Sequence, residues 1–266
     1  MVAGAADAFA LEPDHVIVTR HDVPVAGLPD ALDGLRIAQL TDAHLPRSRD
    51  AAAAAAEAVR RERPDVVVCT GDICEGRDSL GALTEFVREA RGSLATFGTF
   101  GNWERRGGVT LALAEEAYAR GGAEFLNNGS AVVERGGARL GILGLDDAVH
   151  GAPDLALALS ARPAAALDVW LMHAPGYADT IALAGARPPA FMLAGHTHGG
   201  QIRLPGWTPY TPGGSGRYVS GWYGGGVAPL YVSRGVGTVA VRARFCCPPE
   251  VPVFTLRRPT PPAPAE

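Results

Sequence analysis

The chain has 266 residues, of which 47% are hydrophobic, and a formal net charge of −4. A chain of this length can bury a sizeable core as one large domain or two small ones, and its mild negative charge does not favour nucleic-acid binding. No segment approaches the roughly 18 apolar residues of a membrane span, and the N-terminus lacks the basic start and apolar stretch of a secretory signal. We therefore expect a cytoplasmic protein, and a peripheral contact with a membrane stays open.

The first half of the chain alternates apolar runs with helical patterns. The predicted strands are residues 35–40, 65–70 and 94–100. The predicted helices are about residues 51–63, 79–91 and 111–120. Asp50 is suited to cap the first helix, and Pro64 is suited to end it. Strands that alternate with helices in this way predict an α/β fold.

The second half continues with strands and then changes in composition. The predicted strands are residues 131–134, 140–143, 167–172, 190–194, 230–233 and 251–256. The first two flank Gly136-Gly137 and are predicted to form a hairpin. Residues 199–226 are rich in Gly, Pro, Trp and Tyr and are predicted to form long loops, and the Pro-rich tail 259–266 is predicted to be disordered. We therefore expect one domain over residues 1–258.

Metal-capable side chains follow five of the predicted strands. In chain order they are Asp42 and His44, then Asp72, Asn102 and His173, then His196 and His198. In open α/β sheets the carboxyl ends of the strands line the functional crevice, so these residues should converge although they lie far apart in the sequence. Gly71, Gly101 and Gly195 precede three of them and would allow tight turns and a close approach of backbone to a ligand.

The converging set holds two carboxylates, one amide and four imidazoles. This mixture suits zinc, iron, manganese or cobalt better than calcium or magnesium. Two divalent ions would bring four positive charges, Asp42 and Asp72 would remove two, and a bridging hydroxide would remove one more. The remaining positive charge would favour an anionic phosphate, and metal coordination would lower the pKa of water to about 7. The sequence therefore predicts a two-metal hydrolase of phosphate esters.

The order of these motifs resembles the calcineurin-like metallophosphoesterases. That family's pattern is D-x-H, G-D, G-N-H-[DE], a lone H and G-H-x-H. The corresponding segments here are Asp42-Ala43-His44, Gly71-Asp72, Gly101-Asn102-Trp103-Glu104, His173 and Gly195-His196-Thr197-His198. The flanking segments, including Gly199-Gly200-Gln201 and Pro248-Pro249-Glu250, are similar to the bacterial branch that contains membrane-associated phosphodiesterases. The resemblance covers nearly the whole chain.

The resemblance implies a four-layer α-β-β-α sandwich with two central mixed sheets, and it implies ligand roles. The ligands of one metal would be Asp42, His44, Asp72 and His198. The ligands of the other would be Asp72, Asn102, His173 and His196. The two ions are expected to be manganese, zinc or iron. A hydroxide bridging them would attack phosphorus in line, so Asp72, the shared ligand, and Asn102 are expected to act in catalysis without a covalent enzyme intermediate.

One position departs from the family pattern, because Trp103 stands where the family has a histidine after the asparagine. That histidine normally helps to neutralise phosphate charge and to assist the leaving oxygen. Indole cannot supply a proton at neutral pH, although its N–H can donate a hydrogen bond. Three explanations stay open. The substrate could have a good leaving group such as a pyrophosphate. Another residue could supply the acid, and His150 is the candidate, or Trp103 could cover an apolar substrate while turnover stays slow. Trp103 and Glu104 are candidate substrate-binding residues, and Glu104 could also hydrogen-bond to a metal ligand.

We expect an enzyme that hydrolyses phosphodiesters. The closest alternative is a pyrophosphatase for a nucleotide-linked lipid such as UDP-diacylglucosamine, which the membrane-associated relatives and the aromatic segment 206–226 suggest. Another alternative is a non-catalytic scaffold that keeps the fold as a binding surface; Trp103 favours it, and the intact set of seven ligands argues against it. The aromatic segment forms either a substrate rim, a lipid-facing edge or ordinary packed loops, and the sequence predicts no oligomeric state.

Overall fold

A computed structural model describes residues 8–160, 162–165 and 167–259 and contains two six-stranded sheets. The first sheet has the strand order β1-β12-β2-β3-β4-β5. Its strands are β1 (Ile17–Pro24), β2 (Arg36–Leu40), β3 (Val66–Thr70), β4 (Ala95–Thr99), β5 (Glu124–Phe125) and β12 (Glu250–Arg257). Strands β2 to β5 run parallel, whereas β12 lies antiparallel to β2 and parallel to β1. Every residue of β3 is buried, as its charge-free, β-branched sequence predicts for a strand covered on both faces.

Three helices cover the outer face of the first sheet: α1 (Arg49–Glu62), α2 (Leu80–Glu89) and α4 (Leu111–Gly121). The short helix α3 (Asn102–Arg106) follows β4 at the carboxyl edge of the sheet. Helix α1 buries alanines and Val59 against this face. The residue at the N-cap is Ser48, not Asp50 as predicted. Asp50 lies in the first turn of the helix, and its negative charge there is favourable to the helix dipole. The left-handed Arg63 ends the helix just before Pro64, as the sequence predicts.

The second sheet has the strand order β10-β11-β9-β8-β7-β6. Its strands are β6 (Gly129–Arg135), β7 (Ala138–Gly144), β8 (Leu167–Leu171), β9 (Phe191–Ala194), β10 (Gly221–Tyr223) and β11 (Leu230–Val232). The predicted hairpin joins β6 to β7 through Gly136 and Gly137, which both have positive φ. Helix α5 (Leu155–Ser160) packs on the outer face of this sheet.

Apolar side chains from the inner faces of the two sheets form the central core. Members from both sheets include Ile37, Val68, Phe97, Ile142, Val169 and Leu193. With helices on both outer faces, the layers are helix, sheet, sheet and helix, and each sheet contains parallel and antiparallel pairs. The predicted four-layer α/β sandwich with two mixed sheets is therefore confirmed.

Three strands, β1, β5 and β10, lie where the sequence predicts none. Strand β1 carries exposed polar residues such as Arg20 and Asp22, and it pairs with β12 from the opposite end of the chain. Strand β5 is only two residues long. Strand β10 lies inside the segment predicted as loops and is only three residues long. Of the predicted tail, residues 260–266 lie outside the described residues. No helix within the described ranges combines the length and the apolar character that crossing a bilayer requires.

Tight packing under the first sheet provides a test of this arrangement. A Cβ atom at Gly98 would lie 2.2 Å from the Cε1 atom of the buried Tyr118 ring. We expect Gly98→Ala to lower the free energy of unfolding by about 1–3 kcal/mol, because overpacking forces side chains and backbone to shift. The measurement is urea denaturation followed by circular dichroism.

Gly81 in α2 offers the matched control, because a Cβ atom there would meet nothing within 4 Å. Gly81→Ala should leave stability unchanged or raise it by about 0.4–1 kcal/mol. Equal stability of the two variants would contradict the packing described here.

Candidate metal centre

The carboxyl ends of five strands meet at one edge of the sandwich and bring the seven predicted ligands together. Six of the ligands form two groups, and the ligand atoms within each group lie within 4.8 Å of one another. Asn102 contacts the second group. The buried side chain of Gln39 joins the two sheets here, because its Nε2 atom donates to Thr70 Oγ1 at 2.8 Å and to the carbonyl of Ala194 at 2.9 Å.

The first ligand group consists of Asp42, His44 and His198, which are all buried. Nε2 of His44 lies 3.1 Å from Nε2 of His198, and the latter atom lies 3.5 Å from Oδ1 of Asp42. The hydroxyl of Thr41 donates to Oδ2 of Asp42 at 2.8 Å and helps to fix this carboxylate. The group therefore offers one carboxylate and two imidazoles to a common position.

The second ligand group consists of Asp72, His173 and His196, and Asn102 joins it. Nε2 of His173 lies 3.1 Å from Oδ2 of Asp72 and 3.2 Å from Nδ1 of His196. Oδ1 of Asn102 lies 3.0 Å from Nε2 of His173 and 2.9 Å from Nδ1 of His196. One carboxylate, one amide oxygen and two imidazoles converge here.

Asp72 lies between the two groups. Its Oδ2 atom is 3.1 Å from Nε2 of His173 and 3.8 Å from Nε2 of His44. Its other oxygen accepts the backbone N–H of Trp103 at 2.7 Å. One carboxylate oxygen thus faces both groups, which is the position that a bridging ligand needs.

Backbone carbonyls fix the tautomers of the two histidines in the second group. Nδ1 of His173 donates to the carbonyl of Thr70 at 2.8 Å, and Nε2 of His196 donates to the carbonyl of Gly213 at 2.7 Å. The other nitrogen of each ring then keeps a lone pair directed toward the group. This outer hydrogen bond is the usual device that orients a metal-binding imidazole.

Burial keeps three of the four imidazoles neutral. It lowers the pKa of His44 to about 4 and the pKa of His196 to about 4, and it holds the pKa of His198 well below the usual value. Metal binding requires the neutral ring, because a protonated imidazole has no free lone pair. These three side chains are therefore in the ligand form at neutral pH.

The buried carboxylates attract positive charge. Burial raises the pKa of Asp42 to about 6, against the attraction of His173. Burial disfavours the charged form of His173, yet the carboxylates of Asp72, Asp42 and Asp147 raise the pKa of His173 well above its usual value. A divalent ion would supply such positive charge, and the mixture of imidazole, carboxylate and amide donors fits transition metals.

Unusual backbone angles accompany the ligands. The non-glycine ligands with φ between 48° and 72° are Asp42, His44, Asp72, His196 and His198. Such left-handed conformations are uncommon outside glycine, and they concentrate at functional sites where the surrounding structure holds them.

Two of the glycines noted in the sequence leave room for the ligands. A Cβ atom at Gly101 would lie 2.2 Å from Oδ1 of Asp72. A Cβ atom at Gly195 would lie 2.0 Å from Oγ1 of Thr41 and 2.5 Å from Oδ2 of Asp42. The close approach of backbone to ligand that the sequence suggests is therefore present at both positions.

Glu104 lies behind Asp72 and is only 3% exposed. Its Oε1 atom accepts the backbone N–H groups of Ile73 and Cys74 at 2.6 and 3.1 Å. Its Oε2 atom accepts those of Asp72 and Gly101 at 2.8 and 3.0 Å. Glu104 therefore holds the backbone that carries Asp72, and this buried position does not fit the expected contact with substrate.

Trp103 is partly buried beside the first ligand group. Its ring meets the ring of His44 edge to face, with centroids 5.5 Å apart. The guanidinium groups of Arg47 and Arg106 lie 6.0 and 5.4 Å from the indole centroid. The indole and two cations thus form the rim of the site where the family pattern has a histidine.

His150 does not join the site. Its side chain is exposed, and its backbone N–H donates to Oδ2 of Asp147 at 2.5 Å. Within the described part of the chain, no hydrogen bond, ion pair or ring contact joins the His150 ring to any of the seven ligands. The structure therefore gives no support to His150 as the substitute acid, because a proton donor must reach the leaving oxygen.

Arg244 is a residue that the sequence does not single out. It is fully buried, and its guanidinium donates to the backbone carbonyls of Gly237 at 2.6 Å and Arg234 at 2.9 Å. The N–H of Gly237 in turn donates to the carbonyl of Asp42 at 2.6 Å. Arg244 therefore braces the loop behind Asp42, and no local motif marks this role.

The sequence matches known proteins over most of its length. Residues 35–200 match the family model described as calcineurin-like phosphoesterase. The uncharacterised metallophosphoesterase YkuE of Bacillus subtilis is 31% identical over 266 residues, which cover 97% of this chain and 92% of that protein. The phosphodiesterase YaeI of Escherichia coli is 29% identical over 204 residues, which cover 73% of this chain and 71% of that protein.

Among solved structures, a 5'-nucleotidase precursor of Thermus thermophilus aligns with a TM-score of 0.47 and 14% identity. The alignment covers 83% of this chain and 54% of that structure.

The buried carboxylate of Glu104 generates a prediction about metal affinity. In Glu104→Gln, the amide NH₂ would face backbone N–H groups and leave at least one of them unpaired. We expect the free energy of unfolding to fall by about 1–3 kcal/mol and metal affinity to fall about 10–100-fold. Denaturation and calorimetric titration with Mn²⁺ measure these changes.

Glu116 provides the control, because it is 64% exposed and lies 3.7 Å from Arg120 on the surface of α4. Glu116→Gln should change stability by no more than about 0.5 kcal/mol and leave metal affinity unaltered. Wild-type metal affinity in Glu104→Gln would contradict the positioning role.

Proposed function

Because this chain belongs to the calcineurin-like phosphoesterase family, we propose that it hydrolyses phosphodiesters at a centre of two divalent metals. The observation that carries the proposal is the pair of buried ligand groups with Asp72 between them. A single structural metal would need only one such group.

The two groups divide the metals between them. The proposed ligands of the first metal are Asp42, His44, Asp72 and His198, and those of the second are Asp72, Asn102, His173 and His196. Bound divalent metals would lower the pKa of coordinated water to about 7 and polarise the phosphoryl oxygens. The donor atoms favour manganese, zinc or iron.

The charges around the site support a phosphate-ester substrate. Arg106 lies over Trp103 and, among the described residues, forms no ion pair with a carboxylate. Arg47 lies on the same indole and pairs with Glu75 at 2.9 Å. A free guanidinium at the rim is suited to bind a phosphate oxygen. The name of the Escherichia coli relative as a phosphodiesterase supports a diester.

The rim also bears on the leaving group. Trp103 cannot protonate a departing oxygen, and His150 is exposed and, among the described residues, makes no hydrogen bond to a ligand. The oxygen that leaves should therefore be stable as an anion, as in an aryl ester or a phosphoanhydride. This supports the alternative of a pyrophosphatase for a nucleotide-linked lipid. With UDP-diacylglucosamine as substrate, release of UMP would identify that activity.

A non-catalytic scaffold is the remaining alternative. All seven ligands converge, six of them in buried positions, and hydrogen bonds to Thr70 and Gly213 orient two of the imidazoles. A scaffold needs neither feature. The cytoplasmic location expected from the sequence stays a prediction.

Asp72→Asn tests the metal centre. We expect two transition metals per wild-type chain, with turnover of bis(p-nitrophenyl) phosphate. The amide cannot supply the negative charge that faces both groups, so the variant should lose metal, and turnover should fall by more than about 10²-fold. Elemental analysis and initial rates measure both effects.

Asp168→Asn is the matched control, because Asp168 is also buried but pairs with Arg162 and Arg187 at 3.2 and 3.1 Å outside the site. It should keep both metals whatever it loses in stability. A wild-type chain that binds no transition metal would overturn the proposal.

Trp103→His tests the missing proton donor. An imidazole at this position could protonate the leaving oxygen, a contribution of about 10²–10⁴-fold in typical enzymes. We expect the variant to hydrolyse methyl phenyl phosphate about 10²-fold faster than the wild type, and to gain much less on methyl p-nitrophenyl phosphate. The better leaving group of the second ester needs less assistance.

Trp103→Phe serves as the control, because it keeps an aromatic ring without a titratable nitrogen. It should not change the ratio of the two rates. An equal gain on both esters in Trp103→His would contradict the assignment of Trp103 to the position of the acid.

A further inference from the structure

An apolar cavity of about 240 Å³ opens beside the first ligand group. His198 lines this cavity and also belongs to the metal centre. The other lining residues used below are Thr197, Gln201, Ile202, Tyr210 and Val241. No aspartate, glutamate, lysine or arginine lines the cavity.

Two polar side chains of the lining, those of Gln201 and Thr197, are already hydrogen-bonded to backbone groups. Among the described residues, Nδ1 of His198 in the same lining has no hydrogen-bond partner. Gln201 donates to the carbonyl of Val241 at 2.8 Å and accepts the N–H of Val239 at 2.9 Å. The hydroxyl of Thr197 donates to the carbonyl of Val219 at 2.6 Å. The cavity therefore offers little for the hydrogen bonds of a nucleobase or sugar, and its surface suits a hydrocarbon.

Exposed apolar residues concentrate around the opening. Of the twelve exposed large hydrophobic side chains in the described residues, five lie here: Ile202, Leu204, Trp207, Tyr210 and Val241. Leu204 pairs with Trp207 in a short bridge next to the wall. A local cluster of this kind marks a binding site more often than scattered exposed residues do.

The lining of the cavity is also connected to the second ligand group through a hydrogen bond. Residues 209–212 form one side of the cavity, and the carbonyl of Gly213 accepts Nε2–H of His196 at 2.7 Å. One segment thus shapes the cavity and orients a ligand of the metal centre. A molecule whose phosphate lies at the ligands could place an attached chain directly in the cavity.

We propose that this cavity binds the hydrocarbon chain of the substrate, so that the enzyme acts on phosphoesters bearing an alkyl or acyl chain close to the scissile phosphate. The inference rests on the proposed function and specifies its substrate class. An apolar cavity of about 150 Å³ is large enough for benzene, so in proportion this one holds on the order of nine or ten carbons.

The test is a series of alkyl p-nitrophenyl phosphodiesters with methyl, butyl, octyl and dodecyl chains, used below their critical micelle concentrations. The leaving group stays the same, and only the chain on the phosphate changes. Each buried methylene should raise kcat/KM by up to about fourfold, and the rise should stop near nine or ten carbons.

Val241→Glu places a charge in the cavity wall, and Leu157→Glu is the matched control. Val241 is 53% exposed and Leu157, which does not line the cavity, is 54% exposed, so both variants should fold. The ratio of the octyl to the methyl kcat/KM should fall at least about tenfold in Val241→Glu and stay unchanged in Leu157→Glu. Calorimetry of octylphosphonate and methylphosphonate binding gives a second measurement that does not depend on turnover. In the wild type and in Leu157→Glu, octylphosphonate should bind with a more negative heat-capacity change than methylphosphonate. In Val241→Glu, the heat-capacity changes of the two ligands should be equal.

The other outcomes are distinct. Turnover of the methyl ester with no dependence on chain length would overturn the cavity proposal and leave the phosphodiesterase intact. A dependence that appears only above the critical micelle concentration would assign the effect to adsorption on an aggregate and would also overturn it. No turnover of any ester by the metal-loaded wild type would overturn the proposed function, and the cavity proposal would fall with it.

Discussion

The arrangement of this site depends on burying two neighbouring carboxylates, those of Asp72 and Glu104. A buried carboxylate is stable only where hydrogen-bond donors or cations surround it, because removing the charge from water costs several kcal/mol. Glu104 meets this requirement with four backbone N–H groups, three of them from residues 72–74. The backbone of residues 72–74 is thereby held by a side chain that follows a strand of the first sheet. His173 of the second sheet faces the Asp72 carboxylate, and Gln39 joins the two edges beside it.

The sequence predicts the layers well because burial leaves a strong pattern. Strands β3 and β9 are fully buried and contain no charged residue, and β2 and β8 are largely buried and mainly apolar, interrupted by polar residues such as Gln39 and Asp168. Strand β1 lacks this pattern, since Arg20 and Asp22 are exposed and its order comes from pairing with β12. Strand β10 is too short to show a period. Strand β5 has only two residues and is likewise too short. The strands that escape prediction are therefore either very short or ordered by a partner far along the chain.

The same distinction applies to the site. The seven ligands are visible because each follows a recognisable strand. The left-handed backbone of five of them is not visible in the sequence, and the tautomers of His173 and His196 depend on carbonyls supplied from elsewhere. Glu104 looks like a residue facing substrate until its burial is known. Arg244 looks like any surface arginine, and only the packed fold shows that its partners are backbone carbonyls behind Asp42.

Substrate choice must come from the rim, because the ligands themselves serve any phosphate ester. Two features adjoin the first ligand group: the indole of Trp103 on His44, and the apolar cavity that includes His198. An alkyl oxygen is a poor leaving group when position 103 supplies no proton. The P–O bond to a chain that lies in the cavity should therefore stay intact. The departing oxygen then belongs to a more acidic group on the other side of the scissile bond. A phosphoanhydride with a chain on one phosphate satisfies both conditions, because its second phosphate leaves as a stable anion and can meet the free guanidinium of Arg106.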